Sequence, residues 1–160
     1  MSFLFDVEFW ELSSFVVTTL GLPFAIFLYI RQERKEQNNE EEEAYQSLSD
    51  AYGSFLKLVL DNPDLKLRTS NGSVKLTDEQ RERLIVIYEI LISLMERAYI
   101  VAYRDNLEGA AKRRWASWED YIRFWVKRSS FYDLLPELLH GEDPEFAAYI
   151  RRVADEERPR

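Results

Sequence analysis

Apolar residues follow two different patterns along this chain. From Leu12 to Ile30 the sequence reads LSSFVVTTLGLPFAIFLYI, apolar on every side and free of charge. Beyond residue 44 they return one face at a time. Tyr45, Leu48, Tyr52, Phe55 and Val59 recur at alternating steps of three and four, which predicts a helix with one apolar face, ended by Asp61-Asn62-Pro63-Asp64. Thr77 and Gln80 stand in capping-box relation and open a second helix, which contains LIVIYEILISLM and runs on through Tyr99 and Tyr103. After a break at Asn106–Gly109, Trp115, Trp118, Ile122 and Trp125 form one stripe at steps of three, four and three. The segment Phe131–Leu139 holds Pro136 and is expected to break into turns. Asp143-Pro144 reads as N-cap and first helical residue, and Phe146, Tyr149, Ile150 and Val153 give the last helix its buried face. Residues 65–76, LKLRTSNGSVKL, alternate around Asn71-Gly72, but both arms are short, so a loop is expected rather than a hairpin.

The uncharged segment is the right length for a membrane. Nineteen residues separate Glu11 from Arg31, against the roughly 20 that cross the hydrocarbon core. Phe9, Trp10 and Tyr29 stand where interfacial aromatics sit. All 21 Lys and Arg follow residue 30, beginning with Arg31, Arg34 and Lys35, while Asp6, Glu8 and Glu11 precede the segment. The positive-inside rule then puts the N-terminus outside and the rest in the cytoplasm. A cleaved signal peptide would need a basic start and a small-residue cleavage site. The greasy stretch over residues 84–103 is interrupted by Glu89, Glu96 and Arg97, at about 2.5–3.5 kcal/mol each in a bilayer centre, so it reads as a central soluble helix. Ser14, Thr18, Gly21 and Ala25 fall on one face at steps of four, three and four; such a small-residue stripe favours self-association. The expected architecture is all-α: a transmembrane anchor over residues 1–32, a solvated helical stalk over 33–43, and a cytoplasmic bundle of about four helices over 44–157.

Composition narrows the function. A chain that is 46% hydrophobic and 14% aromatic can bury a core. No cysteine means no disulfide, thiolate site or cysteine nucleophile. A net charge of −8 disfavours double-stranded nucleic acid as a partner. The single histidine, His140, reads as a helix-end contact and belongs to no His–carboxylate cluster with metal-ligand spacing, so neither a metal, a cofactor nor a catalytic constellation is expected. Two features carry candidate binding chemistry. Glu89, Glu96 and Arg97 interrupt an apolar helix and must be paired or neutralised; they either bridge to Arg113, Arg114 or Arg123, or form with Tyr99 and Tyr103 the floor of a polar ligand pocket. The tryptophan helix also concentrates Lys112, Arg113, Arg114, Arg123, Lys127 and Arg128. With Trp118 beside them, these could hold a nucleotide-like anion through charge and stacking. The competing reading is that the tryptophans are core and the arginines pair with nearby acids; the 3-4 spacing favours core placement of the tryptophans.

The segments FLKLVLDNPDL, ILISLMERAYIVAYRD, WASWEDYIRFWVKR and DPEFAAYI resemble an uncharacterised family of small bacterial membrane-anchored helical proteins, over roughly residues 40–155. The resemblance implies a single-pass inner-membrane protein with this helical domain and brings no activity with it. Two function classes are therefore expected. The first is a non-enzymatic, homo-oligomeric, membrane-tethered module binding a cytoplasmic protein or anionic small molecule. The second is a ligand-gated membrane effector whose transmembrane helices form or disturb a pore.

Overall fold

The computed structural model describes residues 7–68 and 75–157, with side chains from Phe24 onward except Arg34, Gln37 and Asn38. The described residues form five α-helices and a 3-10 turn, and no strand: α1 (Val7–Asp61), the turn Pro63–Leu65, α2 (Asp78–Ala102), α3 (Gly109–Val126), α4 (Ser129–Leu138) and α5 (Pro144–Glu157). The chain is all-α. It divides into two units, Met1–Glu43 and Ala44–Arg160.

In the first unit Phe24, Ile26, Phe27, Leu28, Tyr29 and Ile30 are all exposed, Tyr29 to 68% and Phe24 to 62%. Among the described residues no helix is long and apolar enough to cross a membrane. Most of the span expected over residues 12–30 lies outside the described side chains, as do Ser14, Thr18 and Gly21; Ala25, the last of the small-residue stripe, is exposed.

The second unit is built around α2, whose Ile87, Tyr88, Leu91, Ile92, Met95 and Ala98 are all but sealed from solvent. α3 packs on α2, α4 and α5, and α2 packs on α4 and α5. The α1 residues after position 44 join this core through the sequence-predicted face: Leu48, Tyr52, Phe55 and Val59 are buried. Tyr52 meets Trp118 edge-on at 5.7 Å, and Phe55 meets Trp125 at 5.5 Å. Edge-to-face geometry of this kind adds to area burial because ring edges and faces carry opposite partial charge. Three of the buried rings have partnered polar tips: Trp125 Nε1 donates to Tyr52 Oη at 3.2 Å, and Tyr88 Oη lies 2.8 Å from Ser130 Oγ.

The helix ends follow local chemistry. Thr77 Oγ1 accepts from Gln80 N and Gln80 Oε1 accepts from Thr77 N, a complete capping box. Gln80 Nε2 and Arg83 Nη2 both donate to Asp64, at 3.0 and 2.7 Å, and fasten the 3-10 turn to the first turns of α2. Asp143 caps α5, its Oδ1 accepting from Glu145 N at 3.0 Å and Phe146 N at 2.9 Å. One expected break is absent. The Phe131–Leu139 segment is helical as α4, with Pro136 inside it. Phe131, Leu135 and Leu138, at i, i+4 and i+7, are buried while Pro136 faces out. Three core anchors on one face, with the proline in the final turn, outweigh the hydrogen bond it cannot make.

Candidate binding cleft at the end of α2

The basic surface of α3 is committed to the fold. Arg123 donates to Glu119 at 2.7 Å, Glu156 at 3.0 Å and Glu157 at 2.8 Å. Lys127 also meets Glu157, at 2.9 Å. The hydrogen bonds from Glu157 and Glu119 hold Arg123 firmly in its charged form. Arg128 is buried and donates to the Lys66 carbonyl at 3.1 Å. Arg114 lies over the Tyr45 ring at 5.9 Å, and Arg113 is exposed. Arg114 and Arg123 are nine helical positions apart, about 14 Å along the axis. The structure therefore does not bring Arg113, Arg114 and Arg123 together on one ligand. Trp118, proposed beside them as a stacking platform, is 2% exposed and lies in the core with Trp115 and Trp125.

The acidic interruptions of α2 also separate. Glu89 and Arg97 are exposed. Glu96 is half-buried and turns toward the α4–α5 connection, where it accepts from the Asp143 amide at 2.5 Å and faces the Glu142 carboxyl. The bridge expected from this group to the α3 arginines is thus replaced: Glu96 is held by a backbone amide, and Arg123 is held by acids of α3 and α5.

What Tyr99 and Tyr103 line is a cleft of about 370 Å³, completed by Ile100, Arg104, Asp105, Asp143 and Glu145. The two tyrosines stack at 4.6 Å with planes 14° apart. They are backed by Trp115, 5.1 Å from Tyr103, and by Tyr149, 5.3 Å from Tyr99. The aromatic wall is thus braced from inside the bundle. Three carboxylates rim it against one guanidinium, and that guanidinium is occupied: Arg104 Nη1 donates to the Tyr103 and Ile100 carbonyls at 2.5 and 3.2 Å, closing the C-terminus of α2. The Tyr99 phenol is pushed above its ordinary pKa, first by burial and then by Tyr103, Glu145, Asp105 and Asp143. The cleft is electronegative.

No protein family, curated protein or solved structure matches this chain.

Asp105 is local to the wall, two residues past Tyr103, whose Oη donates to Asp105 Oδ1 at 3.4 Å; nothing local in the sequence joins Asp143 and Glu145 to the tyrosines. Asp105 lies just past the end of α2, and Asp143 is legible only as an N-cap. Their meeting is produced by the packing of α5 on α2. Among the described residues no three acidic or histidine side chains converge as a metal site requires.

The Glu96–Glu142 contact makes the neighbouring junction pH-sensitive. Burial, then the hydrogen bond and like charge of Glu96, push Glu142 up from 4.5 to about 7. An acid raised in the folded state stabilises fully below its unfolded pKa, and that contribution disappears as pH rises through the folded value. The affected window is therefore about pH 4.5 to 7. Because the group is partly in solvent, the effect is on the order of 1 kcal/mol. Relative to the wild type, Glu142→Gln should gain little at pH 4 and melt a few degrees higher at pH 8, as read by thermal denaturation at both values. Parallel melting curves across that range would contradict the coupling.

Proposed function

We propose that this chain is a non-enzymatic, membrane-tethered binding module. Its N-terminus lies outside and its helical domain in the cytoplasm. It self-associates through the Ser14, Thr18, Gly21 and Ala25 face, and it presents the cleft at the end of α2 to a small molecule or a cytoplasmic protein. The observation that carries the tether is the exposure of Phe24, Ile26, Phe27, Leu28, Tyr29 and Ile30 all round the helix, followed at once by Arg31. A soluble surface helix shows one apolar stripe, as α1 does after residue 44, whereas an apolar belt on every side suits a lipid surrounding. The charge asymmetry supports the orientation. The ligand reading rests on the cleft, because Arg114 and Arg123 of α3 are engaged within the domain.

Paired fusions after Arg160 test the orientation. A reporter active only in the cytoplasm should be active, and one active only after export should be silent. The reverse pattern would overturn both the orientation and every cytoplasmic partner.

A further inference from the structure

We propose that the cleft at the end of α2 is a receptor for an organic cation, an alkylammonium or guanidinium group seated against the Tyr99–Tyr103 wall among Asp105, Asp143 and Glu145. The proposal rests on reading this cleft as the module's binding site and adds the chemistry of what enters it.

Three observations agree. The first is space: about 370 Å³ lies open beside the tyrosines, within the roughly 300–1,000 Å³ of small-molecule sites. The second is the wall. A stacked pair of phenol rings, 4.6 Å apart and braced by Trp115, presents electron-rich surface, which attracts a cation within about 6 Å of a ring. The third is polarity. Asp105, Asp143 and Glu145 line the cavity, while Arg104 is bound to main-chain carbonyls of α2.

These features also select the kind of cation. The carboxylates surround a cavity and do not converge on one point, which suits an elongated or diffuse organic cation better than a compact metal ion. An apolar flank from Ile100 suits the methylene stem of an amine or arginine chain. Such a group can belong to a free polyamine or to a basic residue of a peptide.

Full-length protein in mild detergent should be titrated at low salt with spermidine, with tetramethylammonium and with a blocked diarginine peptide, following intrinsic fluorescence from the tyrosines and the adjoining Trp115. Saturable binding of at least one is expected, and the tighter of spermidine and the peptide identifies the source. The Asp105→Asn, Glu145→Gln double variant should weaken it about tenfold, from a few-fold loss per exposed charge pair. Tyr103→Leu should weaken tetramethylammonium about two- to fivefold, the share of an exposed cation–π contact. Glu82→Gln, an exposed acid elsewhere on α2, should bind as the wild type does. Raising the salt should weaken all three ligands. No saturable binding of any of the three overturns the proposal. So does equal binding by the wild type and the double variant when both melt at the same temperature. Because the readout is independent of location, a chain that binds spermidine yet proves untethered loses the membrane reading and keeps this one.

Discussion

Trp118→Ala is expected to destabilise the helical domain by about 3–5 kcal/mol, the range for truncating a fully buried large aromatic. The ring is 2% exposed and meets Tyr52 at 5.7 Å and Tyr121 at 5.8 Å. Deleting it removes one of the ring contacts that seat α1 on α3 and leaves a cavity that rigid helices fill only in part. Arg113→Ala, on the exposed side of the same helix, should change stability by no more than about 0.5 kcal/mol. Urea denaturation followed by far-ultraviolet circular dichroism measures both. Equal stability of Trp118→Ala and wild type would put the ring on the surface and return it to the list of ligand platforms. The contrast between the two variants separates the packing role of α3 from a binding role.

The elements that were legible in the sequence are those set by local periodicity. The 3-4 spacing of Trp115, Trp118, Ile122 and Trp125 fixes which side of α3 is core, because side chains three and four apart share a face whatever the rest of the chain does. Thr77 with Gln80, and Asp143 with Pro144, fix two helix starts through bonds only three residues long. Where local rule and burial disagree, burial decides. Pro136 argues for a break, but Phe131, Leu135 and Leu138 all find core partners, and α4 forms around it.

Charge was far less legible than packing. A concentration of Lys and Arg on α3 reads as a free basic surface until α5 folds back. Arg123 then meets Glu156 and Glu157, 33 and 34 residues further on, a pairing that no sequence spacing announces. The cleft was legible in half. Tyr99 and Tyr103 stand out as aromatics on the face of Glu96. The acids that give the site its sign come from α2's end and α5's start, and only tertiary packing joins them. The sequence places its candidate anion site on the basic surface of α3 and leaves the sign of the Tyr99–Tyr103 pocket open.

Membrane tethering carries the other large expected effect. An uncharged segment from Leu12 to Ile30 gains on the order of 0.3–0.6 kcal/mol from each large apolar residue near the bilayer centre. A charge there loses about 2.5–3.5 kcal/mol, so Leu20→Lys together with Phe24→Lys should lose about 5–7 kcal/mol, enough to abolish stable insertion. Arg31 and Lys35 are left unaltered, so the variant differs from the wild type within the proposed span alone. Alkaline carbonate extraction of membranes from cells making the full-length chain reads the outcome most directly. The wild type should stay in the membrane pellet and the double lysine variant should leave it. Wild-type protein released into the alkaline supernatant would contradict the tethered-module account.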